Sequence, residues 1–169
     1  MIRGWFVLAG IFVIGAFLYV TGALIANNAS FFNPPGALKR LNVYLSLSKA
    51  WTQGAYPLPE VSSRDYMGNP ALVRKDIIRG IRHFSRWKIL SPTPMDFSGP
   101  VERIRISITS SFWRTEQTME LVLMKTQYGI HVESRSTSSR RIPDWGANRN
   151  SILRVFHAID NEMAIHPPV

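Results

Sequence analysis

The sequence predicts an α+β protein: a single N-terminal transmembrane helix followed by an antiparallel β-sheet covered by two amphipathic helices. Three observations carry this. The run from Trp5 to Ala26 holds no charged side chain. Apolar residues recur at helical spacing over 73–84 and again over 152–163. Between these, three stretches alternate apolar and polar residues with the period of a half-buried strand. A sheet with one apolar face is closed by helices on that face, which gives the layered arrangement.

The apolar run is long enough to cross a bilayer. At about 1.5 Å per residue it reaches roughly 33 Å, against a hydrocarbon core of about 30 Å. A cleavable leader has a shorter core and a small-residue exit. Here the passable triplets are only Thr21-Gly22-Ala23 and Leu24-Ile25-Ala26, so the run reads as a retained anchor. Residues 1–3 form a short head and 4–26 the transmembrane helix. Small residues recur about every seven positions, as Ala9/Gly10, Gly15/Ala16 and Gly22/Ala23. They are expected to line one stripe, where a neighbouring membrane helix can approach closely. Orientation is nearly balanced, because Arg3 precedes the span and Lys39 and Arg40 follow it. A short head tends to stay inside while a long domain is exported, so the domain is expected to be periplasmic or otherwise extracytoplasmic.

About 143 residues follow the span, which suits one domain with its own core. Of 20 Lys and Arg only Arg3 precedes the run, so 19 remain against 11 Asp and Glu. A basic domain beside a bilayer suits membrane lipid, anionic lipid in particular, or a membrane-protein partner. No nucleic-acid-binding signature accompanies the charge. The chain has no cysteine, which excludes disulfides, thiolate metal sites and a cysteine nucleophile.

Residues 27–68 read as a juxtamembrane linker. Phe31 and Phe32 suit the headgroup layer, and Pro34-Pro35 stop any helix. Leu38, Leu41, Leu45 and Ser48 follow a helical spacing with Lys39, Arg40 and Lys49 off that face, so a short helix lying on the membrane or on the domain is expected there. Residues 53–67, with Gly54, Pro57 and Pro59, read as irregular chain.

The α+β domain is expected over 69–169. Asn69-Pro70 is an N-cap followed by a first-turn proline. Val73, Ile77, Ile81 and Phe84 then mark an apolar helical face, with Arg74, Lys75, Arg79 and Arg82 on the others. Residues 87–90 read as a short strand ended by Pro92 and Pro94. Ile104, Ile106 and Ile108 share one side of a strand over 101–110. Met119, Leu121 and Leu123 mark the next, and a turn at Gln127-Tyr128-Gly129 leads to a third through Ile130 and Val132. Ile152, Val155, Phe156, Ile159 and Met163 form one face of the last helix, with Asn148 as its expected N-cap. The tail His166-Pro167-Pro168-Val169 cannot continue that helix.

The stretch from Arg135 to Asn148 is the most distinctive part of the domain. Arg135, Ser136 and Ser138 are followed, after a short turn, by Asp144, Gly146 and Asn148. This resembles the domain-of-unknown-function 1499 family, whose late segment runs R-S-x-S-R, a turn, then D-x-G-x-N and a terminal amphipathic helix. The similarity covers about residues 69–162, including the helix ending near Arg86-Trp87-Lys88. It implies an α+β fold and brings no reaction. Ser139 stands where the family usually has a second arginine, and Arg141 where a turn glycine is common. Gln117-Thr118 falls near the position of an acidic pair in many members.

Two readings of these residues compete. As a structural brace, Arg135 on the last strand holds Asp144, Gly146 allows a positive φ, and Asn148 caps the helix. As an anion-binding cradle, Arg135, Ser136, Ser138 and Arg149 surround the helix N-terminus and favour phosphate or carboxylate.

No catalytic or metal constellation accompanies them. His83, His131, His157 and His166 are scattered, with no paired spacing for zinc. No phosphate-binding loop, dinucleotide fingerprint or serine elbow occurs, so no cofactor and no metal are expected. Glu102, Glu116, Glu120 and Glu133 fall on strands and read as solvated. Trp113 and Trp145 read as packing residues. The expected function is a non-catalytic, membrane-anchored accessory or interaction subunit of a larger membrane assembly. The alternative is a lipid- or anion-binding domain at the membrane surface, and a third is a hydrolase whose site has no sequence signature.

Overall fold

The computed structural model describes residues 2–54, 56–90, 99–109, 116–139 and 143–165. Pro92, Pro94, Ser110, Trp113, Arg141 and the tail from His166, all used in the sequence reading, lie outside the described residues.

Helix α1 spans Ile2–Ala26, and its Trp5–Ala26 segment is long and apolar enough to cross a membrane. From Trp5 to Leu18 its side chains are exposed. One side of its last turns is covered: Ala23 and Leu24 are buried, and Val20 packs with Leu24 on the following domain, while Ile25 and Ala26 stay exposed. The small residues do not form one stripe. At about 100° per residue, Ala9, Ala16 and Ala23 fall within roughly 40° of each other. Gly15 and Gly22 lie roughly 110° round the helix from them, and Gly10 is separate from both groups. Ala23 has no exposed surface and its neighbour Leu24 packs on the domain, so that end of the alanine row is already covered.

Among the described residues the domain is a sheet of six antiparallel strands with helices on one face. Its strands are β1 (Lys49–Trp51), β2 (Arg64–Met67), β3 (Trp87–Ile89), β4 (Val101–Thr109), β5 (Glu116–Lys125) and β6 (Gly129–Ser138). Their order is β1-β6-β5-β4-β3, and β2 also pairs with β6. Strands β1 and β2 share one edge of β6, against Arg135–Thr137 and Gly129–Val132 respectively. The long strands alternate as their sequence requires. Ile104 faces Leu121 and Ile106 faces Met119, all four without exposed surface.

Helices α3 (Pro70–Arg82) and α4 (Ala147–Ile165) cover that apolar face. Helix α3 opens as expected: the Asn69 side chain accepts the Ala71 N–H at 2.9 Å, and Pro70 follows. Val73, Ile77 and Ile81 meet Ile152, Val155, Phe156 and Ile159 in one core, with Met163 packed at its margin. A side chain at Gly80 would press on the α4 backbone, 3.1 Å from the Ile159 nitrogen, so the glycine sets a close crossing. Arg74 does not sit on an outer face as expected. It is buried against the sheet in a two-toothed pair with Glu102, at 2.7 and 2.9 Å. The expectation of a solvated Glu102 fails with it, because each charge makes the burial of the other tolerable.

The stretch 27–68 is more structured than a linker. It carries α2 (Ala37–Ser46), β1 and β2, and it buries Tyr44, Ala50, Leu58 and Tyr66. The short helix forms, and it turns to the domain the face opposite the leucines. Leu38 is 84% exposed and Leu45 is exposed too, while Arg40, Val43 and Tyr44 are buried. The domain-facing side holds the ion pair of Arg40 with Glu60, which leaves the leucine side outward. Phe31 packs edge-on against Tyr44, at 5.7 Å between ring centres, and Phe32 is fully exposed.

Candidate functional site

Most of the residues singled out by the sequence, though not Arg135, gather where α1 leaves its apolar run and meets the domain. Three pieces converge there: the exit segment after Ala26, helix α2 with Glu60, and the crossover from β6 to α4.

The crossover comes first in the chain's logic. Asp144 accepts the backbone N–H groups of Gly146 and Asn148, each at 2.9 Å. The carboxylate of Asp144 therefore satisfies the free donors that open α4. Asn148 is not the N-cap, because it already lies inside the first turn. Its buried amide is instead the knot of the crossover. It accepts the Ser136 hydroxyl at 2.7 Å, donates to the Ser48 carbonyl at 2.7 Å and to Ser138 Oγ at 2.9 Å, and also bonds Asp144. Trp145 and Gly146 both take positive φ, 53° and 84°. A side chain at Gly146 would meet the Tyr44 ring at 3.2 Å, so the turn is pressed onto α2. Burial pushes the Asp144 carboxyl above its ordinary pKa, and the N–H bonds from Asn148 and Gly146 offset part of that.

The second element is a charged knot. Glu60 receives Arg40 through both oxygens at 2.8 Å and Arg149 at 2.7 Å. Arg40 has no exposed surface. It also donates to the carbonyls of Ser30, Asn33 and Pro34 and to the Tyr44 hydroxyl. Tyr44 hydroxyl donates to the Ser30 carbonyl at 3.1 Å. Arg149 reaches the Asn28 carbonyl at 3.0 Å, and the Asn27 amide donates to the Trp145 carbonyl at 3.2 Å. Tyr19 of α1 packs edge-on against Trp145 at 6.2 Å. The exit segment is thereby tied to the domain by charge, hydrogen bonds and rings together. Burial works against ionisation of Glu60. Hydrogen bonds from Arg40, from its own backbone and from Arg149 outweigh it and hold its pKa at about 2. An acid so strong is a poor general base at neutral pH and a good permanent counter-ion.

That depression sets a pH dependence. A carboxylate whose folded pKa lies below its unfolded value stabilises the fold above the unfolded pKa, and this is lost as pH falls through the folded one. Glu60 therefore contributes at neutral pH, and the contribution fades between about pH 4.5 and 2. Its size is about 2 kcal/mol after allowance for partial exposure. Denaturant titration of the wild type and of Glu60→Gln should show the gap between them narrowing across that window. A gap independent of pH would exclude the assignment.

The structure separates the other expected partners. Arg135 is exposed on the opposite sheet face from Ser136, so it neither holds Asp144 nor shares a cradle with Arg149. Arg149 is only 5% exposed and is committed to Glu60. The Ser136 hydroxyl is committed to Asn148. The brace exists with Asp144, Gly146 and Asn148, and without Arg135. The four-residue anion cradle does not assemble. Arg40, Tyr44 and Glu60, which complete the junction, carry no periodic or motif signal in the sequence.

No family model, curated protein or solved structure matches the chain. Its chemistry rests on its own geometry.

Arg135 belongs to a different feature, the sheet face turned away from α3 and α4. There Arg103, Glu120, Arg135 and Trp51 line a recess of about 550 Å³. Glu120 lies 3.7 Å from Arg103 and 3.8 Å from Arg105, so the face is laced with loose ion pairs. Among the described residues, no group of three or more His, Asp or Glu side chains is placed to hold a metal ion. His83 pairs with Glu162 and His131 with Asp65, both at 2.6 Å, and Glu133 lies 4.0 Å from the other ring nitrogen of His131.

Proposed function

We propose that the chain is a membrane-anchored, non-catalytic accessory or interaction subunit of a larger membrane assembly, with its domain held outside the cytoplasm. One observation carries this: the apolar helix and the domain are joined by a buried junction rather than by a free tether. An enzyme that acts on soluble substrate gains nothing from a fixed pose over the bilayer. A subunit that must meet a membrane-embedded neighbour does. Trp5 to Leu18 stays open to lipid or to another helix, and the Ala9–Ala16 row lies on that open part. Exposed Phe32 and Leu38 suit the headgroup layer at the exit.

Gentle detergent extraction followed by native electrophoresis tests the reading. The chain should migrate with a larger assembly, and Ala16→Leu should release it. A lone monomer under the mildest extraction would sink it. The absence of native cysteine allows a single added thiol to report the side. Tyr128→Cys, in the exposed β5–β6 turn, should react with an impermeant maleimide from outside the cytoplasm.

A further inference from the structure

We propose that a cavity beside the end of α1 binds the phosphate of an anionic phospholipid headgroup. The cavity holds about 320 Å³, and Ala26 and Asn27 form part of its wall. Its titratable lining is basic: His83, Arg86 and Arg154, with no carboxylate among the described residues that line it. His83 is tied to Glu162, so the two arginines supply the charge. A guanidinium presents a planar fork that matches phosphate oxygens, and it keeps its charge at any physiological pH.

The aromatic neighbours fix the geometry. Phe84 stacks on Trp87 with 4.1 Å between ring centres and 25° between planes. The Arg154 guanidinium sits 4.8 Å from the Phe84 ring centre. Stacking holds that cation at the cavity wall while its outer N–H groups remain able to donate.

Position decides between a lipid and a free phosphate ester. Ala26 ends the apolar run, so it stands where hydrocarbon gives way to headgroups. A cavity walled by Ala26 and Asn27 opens at the depth of lipid phosphates, and paired aromatic rings are at home at that depth. The site is separate from Arg135 and Arg149, and it is independent of any partner subunit. It does rest on α1 crossing the bilayer.

The test uses the full chain in nanodiscs of zwitterionic phosphatidylcholine with graded phosphatidylglycerol, and counts retained lipid by native mass spectrometry. One phosphatidylglycerol should remain per chain. Retention should fall about tenfold in the Arg86→Ala/Arg154→Ala pair, a change worth about 1.4 kcal/mol. It should hold in Lys49→Ala/Arg103→Ala, which removes equal charge from the sheet face turned away from α3 and α4. Equal loss in both pairs would show diffuse attraction and overturn the site. Displacement by soluble glycerol phosphate at matched concentration would overturn the lipid as its source. Should the double variant not fold, Arg86→Glu alone, at an exposed position, must lower retention. Alkaline carbonate separates the two levels. A chain that it strips from membranes defeats the anchor, whereas an integral chain that keeps its lipid without both arginines defeats the site alone.

Discussion

Glu60→Ala should lower the thermal midpoint of the purified full chain by roughly 10 °C, through a loss of about 3–5 kcal/mol. The substitution removes the one carboxylate shared by Arg40 and Arg149 and leaves both guanidiniums buried. An unpaired charge in such a place costs far more than the pair was worth, since water cannot return to solvate it. Glu60→Gln should fall between the wild type and the alanine variant, because an amide oxygen still accepts a hydrogen bond but carries no charge. Adding Arg149→Met to Glu60→Ala should recover part of the loss by removing one stranded cation. The damage should begin at the junction, so cleavage by protease within 27–36 should rise in Glu60→Ala before the domain melts. A midpoint within a few degrees of the wild type, with unchanged cleavage, would show that the junction does not hold the domain.

The contrast between α3 and α2 shows why some of this fold is legible in the chain and some is not. Val73, Ile77 and Ile81 bury because apolar side chains leave water whatever their partners are, so period alone locates them. The same holds for Ile104, Ile106 and Ile108, and for the face of α4. Arg40, Arg74 and Arg149 are inside for the opposite reason. Each is buried only because a carboxylate distant in sequence, Glu60 or Glu102, meets it. Periodicity contains no record of such meetings, and by period alone Arg40 is only a residue off the apolar face of its helix. Strands β1 and β2 were hidden for a related cause. They are short, and their pairing partner β6 lies more than sixty residues away. The crossover was half legible. Asp144, Gly146 and Asn148 are turn and cap residues by local chemistry, so their gathering follows from sequence. Which of them caps and which one ties the sheet depends on the placement of Ser48 and Ser136. Arg135 illustrates the limit in one residue: a strand reverses its side chains at every step, so neighbours Arg135 and Ser136 serve different faces.

Asn148→Ala should cost about 3 kcal/mol and loosen β6 more than α4. The amide has no exposed surface, and it connects four groups from three parts of the chain. Alanine leaves the Ser136 hydroxyl, itself without exposed surface, with no acceptor for its proton. The helix start should survive, because Asp144 bonds backbone N–H groups that the substitution leaves in place. Hydrogen exchange therefore separates this role from simple capping. Protection should fall along residues 134–138 and in the paired β1, while the first turn of α4 keeps its protection. Asn148→Asp is the sharper comparison, since it conserves size. It sets a second carboxyl against Asp144, whose own pKa is already raised by burial, and it turns an oxygen toward the Ser48 carbonyl. It should therefore be at least as damaging as alanine at neutral pH, and it should recover in part as acid protonates the new group. If aspartate were tolerated at pH 7, or if protection fell first in α4, Asn148 would not be the tie between β6, β1 and the crossover.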